Sequence, residues 1–172
     1  MTKLPSNKSA KSGRAKLATP SAPSIEKQLS TFIAKFEPSD AKLIRACRAE
    51  MRKLLPRAIE LVYDNYNFFV IGYGPTERSS EALFSIAAAA NGVGLAFLKG
   101  ASLPDPEKIL LGSGKLNRFI RLPTTELFKS PPVLALIKAA VGQSKVPFPA
   151  NGGGYTVIKS VSAKQRARRR SA

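Results

Sequence analysis

The sequence predicts an α+β domain, a mainly antiparallel sheet of about four to five strands with helices packed on one side. Three observations carry that reading. Helical periodicity near the start gives way to β-branched and aromatic runs in the middle. An Asn-Gly pair divides two apolar segments, and a proline-capped apolar helix follows the last of the runs. Helices segregated from strands along the chain pack on one side of an antiparallel sheet.

The elements follow in order. Residues 25–36 (IEKQLSTFIAKF) place Ile25, Leu29, Phe32, Ile33 and Phe36 at helical spacing. Pro38 is expected to end that helix and Ser39 to cap the next. Over residues 40–55, Leu43, Ile44, Cys47, Met51, Leu54 and Leu55 form one apolar stripe, which Pro56 stops. Cys47 lies on that stripe and reads as an inert core thiol. IELVYD and NFFVIGYG read as strands. Asn91-Gly92 predicts a two-residue hairpin turn that sets 88 opposite 95 and 86 opposite 97. The large face of this hairpin, with Phe84, Ile86, Ala88, Val93, Leu95 and Phe97, should meet the helices. The small face, with Ser85, Ala87, Ala89, Gly94, Ala96 and Leu98, lets another group approach closely. PDPEKILLG predicts a short helix capped by Asp105, with Pro106 at its first position and Gly112 as its left-handed stop. LNRFIRL reads as a strand, and SPPVLALIKAAVG as a last helix capped by Ser130 and terminated by Gly142.

Composition fits one domain with flexible ends. Residues 1–24 read as a disordered basic arm, residues 25–142 as the domain, and residues 143–172 as a basic, largely flexible tail that holds one short alternating stretch, YTVIKSV. The net charge is +17. Of 28 Lys and Arg, five lie in residues 1–24 and seven in residues 143–172, where there is no acid, so the ends supply +12 and the middle +5. Such ends attract nucleic acid or another polyanion. Arg166, Arg168, Arg169 and Arg170 are the expected tail contacts, non-specific and salt-sensitive because no base-reading pattern accompanies them. Arg45, Arg48 and Arg52, three and four residues apart, align on the outer face of the second helix as a further phosphate-binding candidate.

Several chemistries are excluded. Without histidine there is no His-dependent triad, and the commonest metal ligand is missing. A single cysteine allows no intramolecular disulfide and fits a reducing compartment, so a cytoplasmic location is expected. No apolar run approaches the roughly 20 residues of a membrane span. Gly-Ser-Gly-Lys is not a phosphate-binding Walker loop, because Leu116 stands where Ser or Thr is needed and a strand follows instead of a helix. Glu60 with Asp64 share one strand face, Glu77 with Glu81 a turn, and Asp105 with Glu107 a helix start; all three pairs are expected to be solvated. Lys99, Lys115, Arg118, Arg121 and Tyr63 are the candidates for a small ligand or anion site. An enzyme reading would place Tyr63, Asp64, Lys99 or Lys115 in one pocket. No catalytic residue, metal or cofactor is assigned.

FLKGASLPDPEKILLGSGKLNRFIRL, preceded by LLPRAIELVYDNYNFFVIGYG and followed by LIKAA, resembles the YdhG-like domain family, small bacterial domains mostly without assigned function. The resemblance spans about residues 27–140 and rests on the spacing of its glycines, Asp-Pro and Gly-Lys-x-x-Arg. It implies a compact α+β domain. Some members are described as frataxin-like iron chaperones, a role that draws on carboxylates, His or Cys. Here His is absent, acids are few and the middle of the chain is positive, so the fold carries over without an iron site. The resulting expectation is a non-enzymatic binding or adaptor protein with basic tails. The alternatives are an iron chaperone and a small-pocket enzyme.

Overall fold

A computed structural model describes residues 21–170. Two helices lead, α1 (Ala22–Ile33) and α2 (Pro38–Leu54). Then come β1 (Ile59–Asp64), β2 (Phe69–Gly74), β3 (Phe84–Ala89), β4 (Gly92–Phe97), β5 (Arg118–Arg121), α3 (Pro131–Gly142) and β6 (Thr156–Val161). The strands form one sheet in the order β5-β4-β3-β2-β1-β6. Every pairing is antiparallel except that of β6 with β1. The sheet is therefore mixed, and its sixth strand comes from the YTVIKSV stretch of the segment expected to be largely flexible.

Strand alternation divides the side chains between two faces. Val62, Phe69, Ile71, Phe84, Ile86, Leu95 and Phe97 point to one face and are buried against Leu29, Ile44, Met51 and Leu136 from the helices and Phe36 from the α1–α2 connection. Phe69 sits against both Phe32 and Phe36, with ring centroids 6.4 and 6.1 Å apart. Phe84 and Phe97 meet edge to face at 5.6 Å, a favoured aromatic geometry. The other face carries Val70, Ala87, Gly94, Ala96, Phe119 and Arg121, which take no part in the core formed with the helices.

Local expectations need four corrections. Pro38 opens α2 instead of closing α1; it follows Glu37, the N-cap, at a position where its missing N–H is no loss. The hairpin pairs Ala88 with Val93 and Ile86 with Leu95, so Ala90 and Asn91 form its corner. Gly92 alone in this turn has a positive φ, +120°, so the left-handed residue falls after the corner and alanine is tolerated inside it. The two-residue shift preserves alternation, which is why both faces keep the expected side chains. PDPEKILLG is not a helix. Asp105 caps a turn, its carboxylate accepting from the backbone N–H of Ile109 and Leu110 at 3.0 and 2.9 Å, and Leu111 then bridges to Phe119.

The fourth correction concerns residues 143–172. Gly154 docks where a side chain cannot fit: an added Cβ would lie 2.1 Å from the carbonyl oxygen of Ala58. Its N–H donates to Pro56 at 2.9 Å, which seats β6 beside β1. Beyond β6, the backbone N–H groups of Ser162 and Arg166 donate to the carbonyls of Asp64 and Tyr66, both at 2.9 Å. Of the expected basic arm, residues 1–20 lie outside the described residues, and Ala22 already belongs to α1.

Candidate functional site

The two carboxylates of β1 are not solvated. Glu60 and Asp64 both face the helices and are 2% and 0% exposed. Charge cannot be buried without partners, and each has them. Glu60 accepts from Arg48 Nη2 at 2.7 Å, Arg52 Nη2 at 2.8 Å and Thr156 Oγ1 at 2.6 Å. Arg48 also reaches Glu26 on α1 with Nη1 and Nη2, at 2.8 and 2.7 Å. Burial pushes the Glu60 pKa up, but the guanidinium groups and Thr156 outweigh it and hold the carboxyl below its ordinary value. Glu26 is lowered mainly by its hydrogen bonds to Arg48. The same carboxylates raise Arg48 against the downward pull of burial.

Asp64 is held by Lys35 at 2.5 Å and Arg168 at 3.1 Å. Arg168 is itself 4% exposed, lies 5.9 Å from the centroid of the Phe36 ring and donates to the carbonyl of Asn65. Gln165 bridges Lys35 and the Asp64 carbonyl at 2.8 and 2.9 Å. Arg48 and Arg168 therefore pair with buried acids inside the fold, while Arg52 pairs with Glu60 and stays 48% exposed. Of that helix stripe, Arg45 is exposed and has no acidic partner among the described residues.

The ligand candidates separate. Tyr63 and Asp64 are neighbours on β1 and leave it on opposite faces, so they share no pocket. The Tyr63 hydroxyl meets Ser79 Oγ at 2.5 Å, and Tyr155 donates to Glu77 at 2.9 Å. Arg118 spends its guanidinium on its own loop, donating to the carbonyls of Gly114 and Asn117. Phe97 pairs with Arg118, which places Lys99 just past the β4 end of that pair, while Lys115 stands exposed in the loop. Burial pushes the Cys47 thiol up to about 12, as expected for an inert core thiol. No group of three or more His, Cys, Asp or Glu able to hold a metal ion occurs among the described residues.

Among the described residues, Arg121 lines a sizeable cavity. On the open face, Phe68, Ala87, Gly94, Ala96, Phe119 and Arg121 enclose about 300 Å³. A second hollow of about 510 Å³ shares Phe68 and Asn91 with it and adds Asn67 and Arg166. The two form a trough around the β3–β4 corner, with Phe68 standing between them at 49% exposure. The Arg166 guanidinium lies 5.6 Å from the Tyr66 ring centroid, and Arg170 Nε donates to the corner carbonyl of Ala90 at 3.2 Å. Arg169 instead reaches the Lys35 carbonyl on the helix side. Sequence reasoning missed Phe68. The signal was the adjacent pair Phe68-Phe69, because alternation sends only one of two consecutive strand residues into the core.

No family model, curated protein or solved structure matches the chain.

Proposed function

We propose that the protein is a non-enzymatic binding protein for polyanions, a YdhG-like adaptor domain acting in the cytoplasm. The supporting observation is the separation of its charges. The buried acids Glu60 and Asp64 are neutralised internally, and exposed cations are left without acidic partners among the described residues. Arg121, Arg166 and Arg170 border the open sheet face, and Arg45, Lys99 and Lys115 lie elsewhere on the surface. Unpaired cations release counterions from an anionic polymer on binding, which drives association and makes it salt-dependent. No described helix is long and apolar enough to cross a membrane. The cytoplasmic assignment rests on the single cysteine, Cys47, which is buried and free.

Fluorescence anisotropy of the full chain with labelled heparin and labelled DNA tests this reading. Binding that weakens at least tenfold between about 50 and about 200 mM salt supports it. Absence of binding to both polymers at the lower salt contradicts it.

A further inference from the structure

We propose that the trough on the open sheet face binds unpaired nucleotides of single-stranded nucleic acid. The inference rests on the polyanion reading and names its site and ligand class. Strand-binding sites without sequence preference combine a cationic groove for phosphates with aromatic rings on which bases stack. Both are present here, and they come from separate parts of the chain. Phe68 leads into β2 and Phe119 sits on β5, while Arg121, Arg166 and Arg170 come from β5 and the C-terminal segment.

Phe68 is the central element. It is half exposed, although Phe69 beside it is fully buried. Its ring stands between two hollows of about 300 and 510 Å³, within the ordinary range for ligand pockets. The floor of the first is made of Ala87, Gly94 and Ala96, which leaves room for a flat ring to lie against the sheet. Asn67 and Asn91 line the second hollow and carry amide donors and acceptors that suit the edge of any base. Duplex DNA presents its bases already stacked inside the helix, so Phe68 has nothing to receive from it. The trough therefore separates single strands from duplex and from heparin, which share only the charge.

The test compares oligo(dT), a DNA duplex of equal length, heparin and dTMP as probes of the full chain, with Phe68→Ala and Phe68→Tyr variants. Phe68 is exposed, so neither change disturbs the core. The proposal expects oligo(dT) to bind more tightly than duplex. Phe68→Ala should weaken oligo(dT) by about fivefold to a hundredfold, in line with one lost stacking contact. Phe68→Tyr should retain most of the affinity, and heparin binding should not change. Equal affinity for duplex and oligo(dT), or an unchanged oligo(dT) affinity in Phe68→Ala, overturns the strand site while heparin binding keeps the polyanion reading intact. dTMP binding as tight as oligo(dT) overturns it in favour of a mononucleotide pocket. No binding to any polymer removes both readings together.

Discussion

The two faces of the sheet use arginine in opposite ways. On the helix-covered face, Arg48 and Arg168 are buried against Glu60 and Asp64, and each guanidinium closes a gap between elements distant in sequence. On the open face, Arg121, Arg166 and Arg170 have no acidic partner among the described residues. A basic run therefore has no single role. Within five residues of the C-terminal segment, Arg168 anchors the chain while Arg166 and Arg170 turn outward. The count of 28 Lys and Arg overstates the cations offered to a partner, because some of them are paired with buried acids and hold β6 and its extension to the domain.

Removing one partner of a buried pair is the strongest way to break the covered face. Glu60→Ala leaves Arg48 and Arg52 sharing the single, half-exposed carboxylate of Glu26 and should cost about 3 kcal/mol of unfolding free energy. Urea denaturation measures this, and Arg121→Ala should lie within about 0.5 kcal/mol of the parent in the same assay. Arg168→Ala should cost less, about 2 kcal/mol, because Lys35 still neutralises Asp64. Hydrogen exchange should then rise first at Ser162 and Arg166, whose amides tie the last segment to β1 and Tyr66.

Acid should probe the same network with a defined sign. Glu60 and Glu26 have folded pKa values below the ordinary 4.5. Their contribution is complete above pH 4.5 and is lost as the pH falls through the lower folded values. Thermal melts at about pH 5 and about pH 3 should show the loss, and Glu60→Gln should lose a smaller share over that interval. The smallest effect belongs to Tyr73, whose hydroxyl is buried without a protein hydrogen-bond partner. Tyr73→Phe removes no such bond and should leave stability within about 0.5 kcal/mol of the parent, or above it.

Much of this architecture was legible because it rests on short-range rules. Alternation in FSIAAA assigned the hairpin faces, and the stripe from Ile44 to Met51 assigned the buried side of α2, whereas in IELVYD the face carrying Glu60 and Asp64 was expected to be solvated and is buried. The hairpin corner was misplaced because Gly92 accepts positive φ after the turn as readily as within it. β6 was hidden for a different reason. Its pairing with β1 joins residues about 96 apart, and the cue for docking is the Gly154 contact with Ala58, which no local pattern reveals. The fate of Arg48 and Arg168 was equally invisible: a guanidinium reads the same in sequence whether it meets water or a buried carboxylate. The trough was half legible, since the small hairpin face was expected to allow close approach, but its walls and rim arrive from Phe68 and the C-terminal segment.

On the proposed reading, polyanions bind to the open sheet face around Phe68 and Arg121. Titrating the ¹⁵N-labelled full chain with oligo(dT) and following backbone amide shifts tests it most directly. The largest shifts are expected at Ala87, Gly94, Ala96 and Arg121, with the amides of Ile44, Cys47 and Met51 on α2, behind the sheet, little changed. Shifts confined to Arg45 and its helix, or to the loop around Lys115, with the open face unmoved, would contradict it.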